Sequence, residues 1–192
     1  MKPVYGAVLI GGKSSRMGRP KHLLAAPGGR TWLERSYRIL ADCVDHVVVS
    51  GSGVLPKSLE GLQIIADLPH IPGPLGGIAA LLNSNRAVSW LVVACDMPYI
   101  TEEAIKWVLA QRRTGSKAVI PRNAATEMDE PLFAWYDSSC RSLIDEMIAE
   151  GEYRPRCISS FDKVHRAAIP ESLQVCWQNV NDPTSLKRLE LD

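Results

Sequence analysis

A chain of 192 residues can bury one substantial core, so we predict a single domain over residues 1–192 rather than two independent ones. Its 22 lysines and arginines nearly balance its 21 aspartates and glutamates. This balance argues against a broad basic surface of the kind that holds a nucleic-acid backbone, and we expect no nucleic-acid partner. Any recognition of phosphate must therefore be local.

The five cysteines are odd in number and form no Cys-x-x-Cys pair, so we expect neither a disulfide framework nor a structural zinc site. This usage fits a reducing cytoplasm. The first apolar run, residues 4–10, is far shorter than a membrane span and continues directly into a glycine-rich loop. We therefore expect a cytoplasmic protein with no signal peptide, transmembrane helix or membrane partner.

Short β-branched apolar runs alternate along the chain with longer segments of helical period. This pattern predicts an α/β fold, a mostly parallel sheet with helices on both faces. The predicted strands are residues 4–10, 46–50, 62–66, 90–94, 117–121 and 131–136. The predicted helices are residues 31–41, 75–82, 101–111 with Thr101 as N-cap, and 184–189. A further helix is predicted where Leu143, Ile144, Met147 and Ile148 share one face, and it ends at Gly151.

The first predicted strand leads into the loop L-I-G-G-K-S-S-R-M-G-R-P-K, residues 9–21. Ligands of open parallel sheets collect beyond the carboxyl ends of the strands, which is where this loop lies. Gly11 and Gly12 would let backbone N–H groups approach phosphate oxygens, and Arg16 and Lys21 would supply positive charge. Neither standard phosphate fingerprint, G-x-x-x-x-G-K-[ST] or G-x-G-x-x-G, is present. We predict a phosphate-binding loop, with a basic, glycine-rich surface turn as the alternative.

Two carboxylates follow predicted strands. Asp96 ends the run V-V-A-C-D-M-P at the same rim as the first loop, where a hard oxygen ligand could hold Mg²⁺. The alternative is that Asp96 only shapes the turn before Pro98; the shared rim favours the metal. Asp67 ends the predicted strand 62–66 in the same way. It could bind a ribose hydroxyl, a base edge or metal-bound water, and the sequence leaves these roles open.

Two further segments are ambiguous. P-G-P-L-G-G-I, residues 72–78, places three glycines at the start of a predicted helix. Free N–H groups and missing side chains there leave room for a base or sugar, although for this segment alone a tight entry from loop to helix is the favoured interpretation. In N-V-N-D-P, residues 179–183, Asn181 either binds ligand or precedes a capped helix.

Together these motifs resemble the molybdenum cofactor guanylyltransferase family. The resemblance covers residues 4–189 and rests on the first loop, Asp67, G-P-L-G-G, C-D-M-P, P-L-F-A-W-Y and N-V-N-D-P, in that order. The first loop and D-x-P are shared by many nucleotidyltransferases. The resemblance implies a cytoplasmic, Rossmann-like nucleotidyltransferase fold. It also implies transfer of GMP from Mg²⁺-bound GTP to the terminal phosphate of molybdenum-molybdopterin, with release of pyrophosphate.

The resemblance also implies roles for the residues that match its motifs. Those that would contact GTP are Leu9, Ile10, Gly11, Gly12, Lys21, Asp67 and Asp96, with Gly73, Gly77 and Arg16 on further motif positions. Asp96 would also bind Mg²⁺. Asn179 and Asn181 match positions associated with the pterin. Ile10 departs from the family, which usually has alanine there.

The implied reaction is in-line attack by an acceptor phosphate oxygen on the α-phosphorus of GTP. An ionised phosphate needs little help from a general base, so catalysis should rest on positioning and charge neutralisation. The predicted catalytic residues are Lys21, Arg16 and Asp96, with Mg²⁺ on Asp96. No catalytic histidine is required.

Alternatives remain within and outside the enzymes. CMP could be transferred to molybdopterin, or a nucleotide to a sugar phosphate. Cytidylyltransferase relatives resemble L-A-A-G with a different segment in place of G-P-L-x-G, so the double glycine favours guanine. Outside the enzymes, the chain could be a nucleotide-binding adaptor that delivers the cofactor, but the presence of Lys21 and Asp96 argues against this. Expected partners are GTP, molybdenum-molybdopterin, delivery proteins and target molybdoenzymes.

Overall fold

A mixed sheet lies at the centre of the computed structural model, which describes residues 2–11, 20–26 and 29–180. Its strands are β1 (Val4–Leu9), β2 (His46–Ser50), β3 (Ile64–Ile65), β4 (Ser89–Ala94), β5 (Ala118–Arg122), β6 (Phe133–Tyr136) and β7 (Val164–Ala168). The α-helices are α1 (Trp32–Ala41), α2 (Pro74–Ser84), α3 (Glu102–Ala110) and α4 (Arg141–Ala149). Shorter 3₁₀ segments include Lys21–Leu23, Pro155–Ser160 and Glu171–Trp177.

The strand order is β3-β2-β1-β4-β6-β5-β7. Every neighbouring pair is parallel except those that include β6, which runs antiparallel to β4 and β5. The prediction of an α/β fold with a mostly parallel sheet is therefore confirmed. The carboxyl ends of β1, β2, β3, β4 and β5 share one rim of the sheet with the start of β6.

Helices cover both faces of the sheet because successive strand side chains point to opposite faces. Val8 lies in the core cluster beneath α1 and α3, whereas its neighbour Ala7 lies in the cluster beneath α2 and α4. All six residues of β4 are buried, as expected for a central strand covered on both sides. Thr101 caps α3 by accepting a hydrogen bond from the Ala104 N–H, as predicted.

The structure differs from the prediction at the two sheet edges. β3 is only two residues long instead of the predicted 62–66, so Asp67 lies in the loop beyond the strand rather than at its end. β7 was not predicted, since its segment V-H-R-A-A has a single buried residue and no clear alternation. The predicted helix 184–189 lies outside the described residues. In the described part of the chain, no helix has the length and apolar character needed to span a membrane.

Candidate active site

A cavity of about 500 Å³ opens at the rim where β1 and β4 end. Many of the predicted site residues line it: Leu9, Ile10, Gly11, Lys21, Asp67, Gly73, Gly77 and Asp96. They come from segments far apart in sequence, and the parallel strands bring them to one edge of the sheet. The predicted residues Gly12, Arg16 and Asn181 lie outside the described residues.

The first loop leaves the sheet at Gly11. The Ile10 N–H donates to the Ser50 carbonyl at 2.8 Å, which still ties the chain to β2. Gly11 then has φ = 109°, a backbone conformation that glycine adopts readily and other residues avoid. A Cβ added at Gly11 would meet no atom of the described residues within 4 Å, so among them the backbone turn, and not a lack of space, favours glycine here.

Lys21 and Asp96 meet across the cavity. The Lys21 ammonium donates to the Asp96 carboxylate at 3.0 Å, and the two side chains are 18% and 22% exposed. Lys21 begins a 3₁₀ turn after the first loop, and Asp96 follows β4. The neighbouring Cys95 is a poor nucleophile, because burial raises the pKa of its thiol to about 12 and keeps it protonated.

Asp67 and Gly77 line the cavity away from Lys21 and Asp96, and the buried Ser50 lies behind Gly77. A Cβ on Gly77 would lie 2.9 Å from Asp67 Oδ1 and 3.0 Å from Ser50 Oγ, so the glycine makes room for both groups. Desolvation by the surrounding protein raises the pKa of the Asp67 carboxyl above its ordinary value.

Ser50 was missed by the sequence reasoning. It is the last residue of β2, its side chain is fully buried, and its hydroxyl has no hydrogen-bond partner among the described residues. Buried hydroxyls usually have partners, so this unpartnered group is unusual, although Ser50 is not among the residues that line the cavity. Its place at the carboxyl end of a predicted strand was the signal that could have identified it.

The start of α2 combines both interpretations of the G-P-L-G-G segment. Gly73, the N-cap, has φ = 70° and is followed by Pro74 in the first turn. A Cβ on Gly76 would lie 2.5 Å from the Ile71 carbonyl oxygen, so this glycine allows the tight entry into the helix. Gly73 and Gly77 line the cavity. The segment is therefore both a close packing contact and a wall of the site.

The described part of the C-terminal segment passes beside Asp96. The Val180 N–H donates to the Asp96 carbonyl at 2.9 Å, and Val180 packs with Leu24, Ala26 and Trp32. Asn179 is exposed and is not among the residues that line the cavity. Its predicted pterin role remains a prediction, at a position next to the Asp96 turn.

The carboxylates of Asp96 and Asp67 are the acidic groups that line the cavity. No cluster of three or more His, Cys, Asp or Glu side chains suited to a metal occurs in residues 2–11, 20–26 and 29–180. Mg²⁺ commonly takes only one or two protein carboxylates and completes its shell with substrate phosphates and water. The donor set therefore fits Mg²⁺ bound together with a nucleotide, and not a metal held by the protein alone.

Comparisons with known proteins agree on one family. A family model described as "MobA-like NTP transferase domain" matches residues 6–167. A "probable molybdenum cofactor guanylyltransferase" of Pelotomaculum thermopropionicum is 33% identical over 97% of this chain and 91% of its own. One of Thermococcus sibiricus, similarly named, is 32% identical over 97% of both chains.

Solved structures share the fold. Molybdopterin-guanine dinucleotide biosynthesis protein A from Archaeoglobus fulgidus superposes with a TM-score of 0.78 at 25% identity, over 97% of both chains. The 2-C-methyl-D-erythritol 4-phosphate cytidylyltransferase of Thermus thermophilus gives a TM-score of 0.66 at 18% identity, covering 100% of this chain and 98% of the other. The second likeness shows the fold alone.

Proposed function

The chain belongs to the MobA-like NTP transferase family, and on that premise we propose that it transfers GMP from GTP to the terminal phosphate of molybdenum-molybdopterin. Guanylyltransferases that match it over nearly their whole length support this activity. The structural observation that carries the proposal is the meeting of Gly11, Lys21, Asp67 and Asp96 in one cavity.

The guanine base would lie at the Asp67 end of the cavity. The Asp67 carboxylate lies close to Ser50 at the end of β2, and the ends of β2 and β4 are two interstrand spacings apart, about 10 Å, a span that a nucleotide can bridge. An ionised carboxylate accepts hydrogen bonds, and guanine offers adjacent N–H donors on its ring nitrogen and its 2-amino group.

The phosphates would lie at the Lys21 end. Lys21 would leave its ion pair with Asp96 and bind the α-phosphate, while the Asp96 carboxylate held Mg²⁺. Bound Mg²⁺ supplies positive charge that neutralises the triphosphate and the departing pyrophosphate. Gly11 would present its backbone N–H to a phosphate oxygen, and Arg16 would add a second cation to the loop.

The reaction exchanges one phosphoanhydride bond for another. An oxygen of the acceptor phosphate attacks the α-phosphorus, the bond from that phosphorus to the bridging oxygen breaks, and pyrophosphate leaves with the electron pair. The attacking oxygen is already ionised, so the protein need not remove a proton. Lys21 and Asp96 therefore contribute charge and position. The dinucleotide product would then pass to delivery proteins or target molybdoenzymes.

The test is incubation with Mg²⁺, molybdenum-molybdopterin and each of the four nucleoside triphosphates, followed by mass analysis and a pyrophosphate assay. Only GTP should give the dinucleotide adduct with an equal amount of pyrophosphate, and omission of Mg²⁺ should abolish both. A CMP adduct would overturn the assignment of the base. Binding of GTP without adduct or pyrophosphate would favour the adaptor over the enzyme.

A further inference from the structure

A second cavity, of about 410 Å³, lies at the opposite edge of the sheet. Its lining comes from Lys2 before β1, Ser89 at the start of β4, Trp135 on β6 and the turn between α3 and β5. β4 runs from this cavity to the active site, a length of about 16 Å for its residues Ser89–Ala94. A small molecule in the second cavity could not touch Asp96.

The second cavity carries excess positive charge. Lys2, Arg112 and Arg113 line it, together with one carboxylate, Asp137. Asp137 is already paired with Lys2, and its Oδ1 lies 3.6 Å from Lys2 Nζ. Within the part of the chain that the structure describes, neither arginine has an Asp or Glu oxygen within 4.0 Å. A bound anion would supply the negative charge that the two arginines lack nearby.

Arg112 is held in place before any ligand arrives. Its Nε donates to the Leu109 carbonyl at 2.7 Å, and its guanidinium carbon lies 5.9 Å from the centre of the Trp135 ring. Burial lowers the pKa of this guanidinium, so its charge is not fully solvated. The indole Nε1 of Trp135 is buried and has no acceptor among the described residues. A pre-positioned cation loses less conformational freedom when it binds an anion.

We propose that this second cavity binds a phosphate group, either as inorganic phosphate or as a small phosphate monoester. Hydroxyls from Thr114, Ser116 and Ser139 line the cavity beside the cations. Phosphate combines a charge near two with several acceptor oxygens, so it can use cations and hydroxyls at once. A monocarboxylate has less charge and fewer acceptors. This site is independent of the proposed transfer reaction, which uses the opposite rim.

Calorimetric titration of the full chain with inorganic phosphate, without nucleotide or Mg²⁺, tests the proposal. Phosphate should bind the wild type, and Arg113→Gln and Lys2→Gln should each raise the dissociation constant about tenfold. Both side chains are exposed, so these variants should keep the wild-type melting temperature. Lys57→Gln, which alters an exposed lysine outside both cavities, is the matched control and should bind as the wild type does.

Two comparisons decide where phosphate binds and in which form. Lys21→Ala should leave the affinity unchanged if phosphate occupies the second cavity. A loss in Lys21→Ala with no loss in Arg113→Gln would assign the ligand to the active site and overturn the proposal, as would equal binding of acetate. Glycerol phosphate that binds at least tenfold tighter than phosphate would identify a monoester as the ligand. Equal affinities would show that the site recognises the phosphate group alone, and weaker binding of glycerol phosphate would identify inorganic phosphate. These outcomes do not depend on whether GMP transfer is observed.

Discussion

The Lys21–Asp96 ion pair is the central contact of the active site. Both side chains are mostly shielded from solvent, and at 3.0 Å each limits the positions available to the other. Asp96 is also fixed through its backbone, because the Val180 N–H donates to its carbonyl. This backbone contact persists when Lys21 turns to a phosphate, so it keeps Asp96 in position and reduces the cost of ordering it in the transition state.

Asp96→Asn separates a metal-binding role from a turn-forming role. Asparagine keeps the size and turn-forming capacity of aspartate but replaces a charged oxygen ligand with a neutral amide. We expect the turnover rate to fall about 10²- to 10³-fold while the melting temperature changes little. Raised Mg²⁺, or Mn²⁺ in its place, should restore part of the rate. A variant that melts early yet turns over normally once folded would remove Asp96 from the site.

Asp67 gives a prediction about pH. Because desolvation raises the pKa of its carboxyl, the group becomes protonated at a higher pH than an ordinary aspartate does. Its ability to accept guanine N–H groups should be lost as pH falls through this raised pKa, so GTP affinity should fall at a higher pH than it would with an ordinary aspartate. Titrations of GTP binding at decreasing pH, with circular dichroism to follow folding, measure this. Asp67→Asn should bind GTP weakly at every pH and lack the carboxylate's transition.

The same raised pKa also affects stability, with a definite sign. The folded state binds the Asp67 proton more tightly than the unfolded state does. The tighter proton binding therefore stabilises the folded state at low pH, and this stabilisation is lost as pH rises through the pKa that Asp67 has in the folded state. Asp67→Asn should therefore raise the melting temperature at neutral pH while it impairs GTP binding. A destabilised variant would mean that the carboxylate has a structural partner instead.

At the scale of the element, adjacent glycines of α2 provide a matched pair of variants. Gly76→Ala would place a Cβ 2.5 Å from the Ile71 carbonyl oxygen. The backbone must shift, and we expect a loss of about 1–3 kcal/mol in the free energy of unfolding. Gly77→Ala instead meets the movable side chains of Asp67 and Ser50, and the higher helix propensity of alanine offsets part of the cost.

The two variants should change different measurable properties. Gly76→Ala should lower the melting temperature, while Gly77→Ala should mainly raise the KM for GTP, because it displaces Asp67. Thermal melts and steady-state kinetics of the two proteins distinguish these effects. An unchanged KM in Gly77→Ala would show that the position of Asp67 does not matter for GTP, and the base-binding role of that end of the cavity would be wrong.

The same helix shows what the sequence could and could not reveal. The glycine motif and the apolar residues after it predicted a helix near residues 75–82, and the structure has Pro74–Ser84. Gly76 packs against the loop at Ile71, whereas Gly77 faces the cavity. This difference depends on where the loop lies in the folded protein, and no local sequence pattern predicts it. β3 and β7 were misjudged for a related reason, since edge strands bury few side chains and show weak periodicity.

At the scale of the whole molecule, the sheet explains why the site could be found from the sequence. The rule that parallel strands gather ligands at their carboxyl ends joined Gly11, Asp67 and Asp96 without any knowledge of the strand order. The order itself, and the reversed direction of β6, depend on which strands pair, and no local pattern encodes that choice. The Ser50 hydroxyl was missed because a buried serine in an apolar strand is usually structural.

The final prediction concerns the native state as a whole, which any ligand that binds it alone stabilises by mass action. At 100 times its dissociation constant GTP should contribute about 2.7 kcal/mol, or roughly 5–10 °C in melting temperature for a chain of this size. With Mg²⁺ present, the shift should be larger for GTP than for CTP or ATP at equal concentration, because the Asp67 carboxylate would accept hydrogen bonds from guanine. Asp67→Ala should reduce the GTP shift to the level of ATP, whereas Arg113→Gln, in the other cavity, should keep it. A larger shift with CTP would reverse the base assignment, and equal shifts with all three would mean that the protein holds the triphosphate without reading the base.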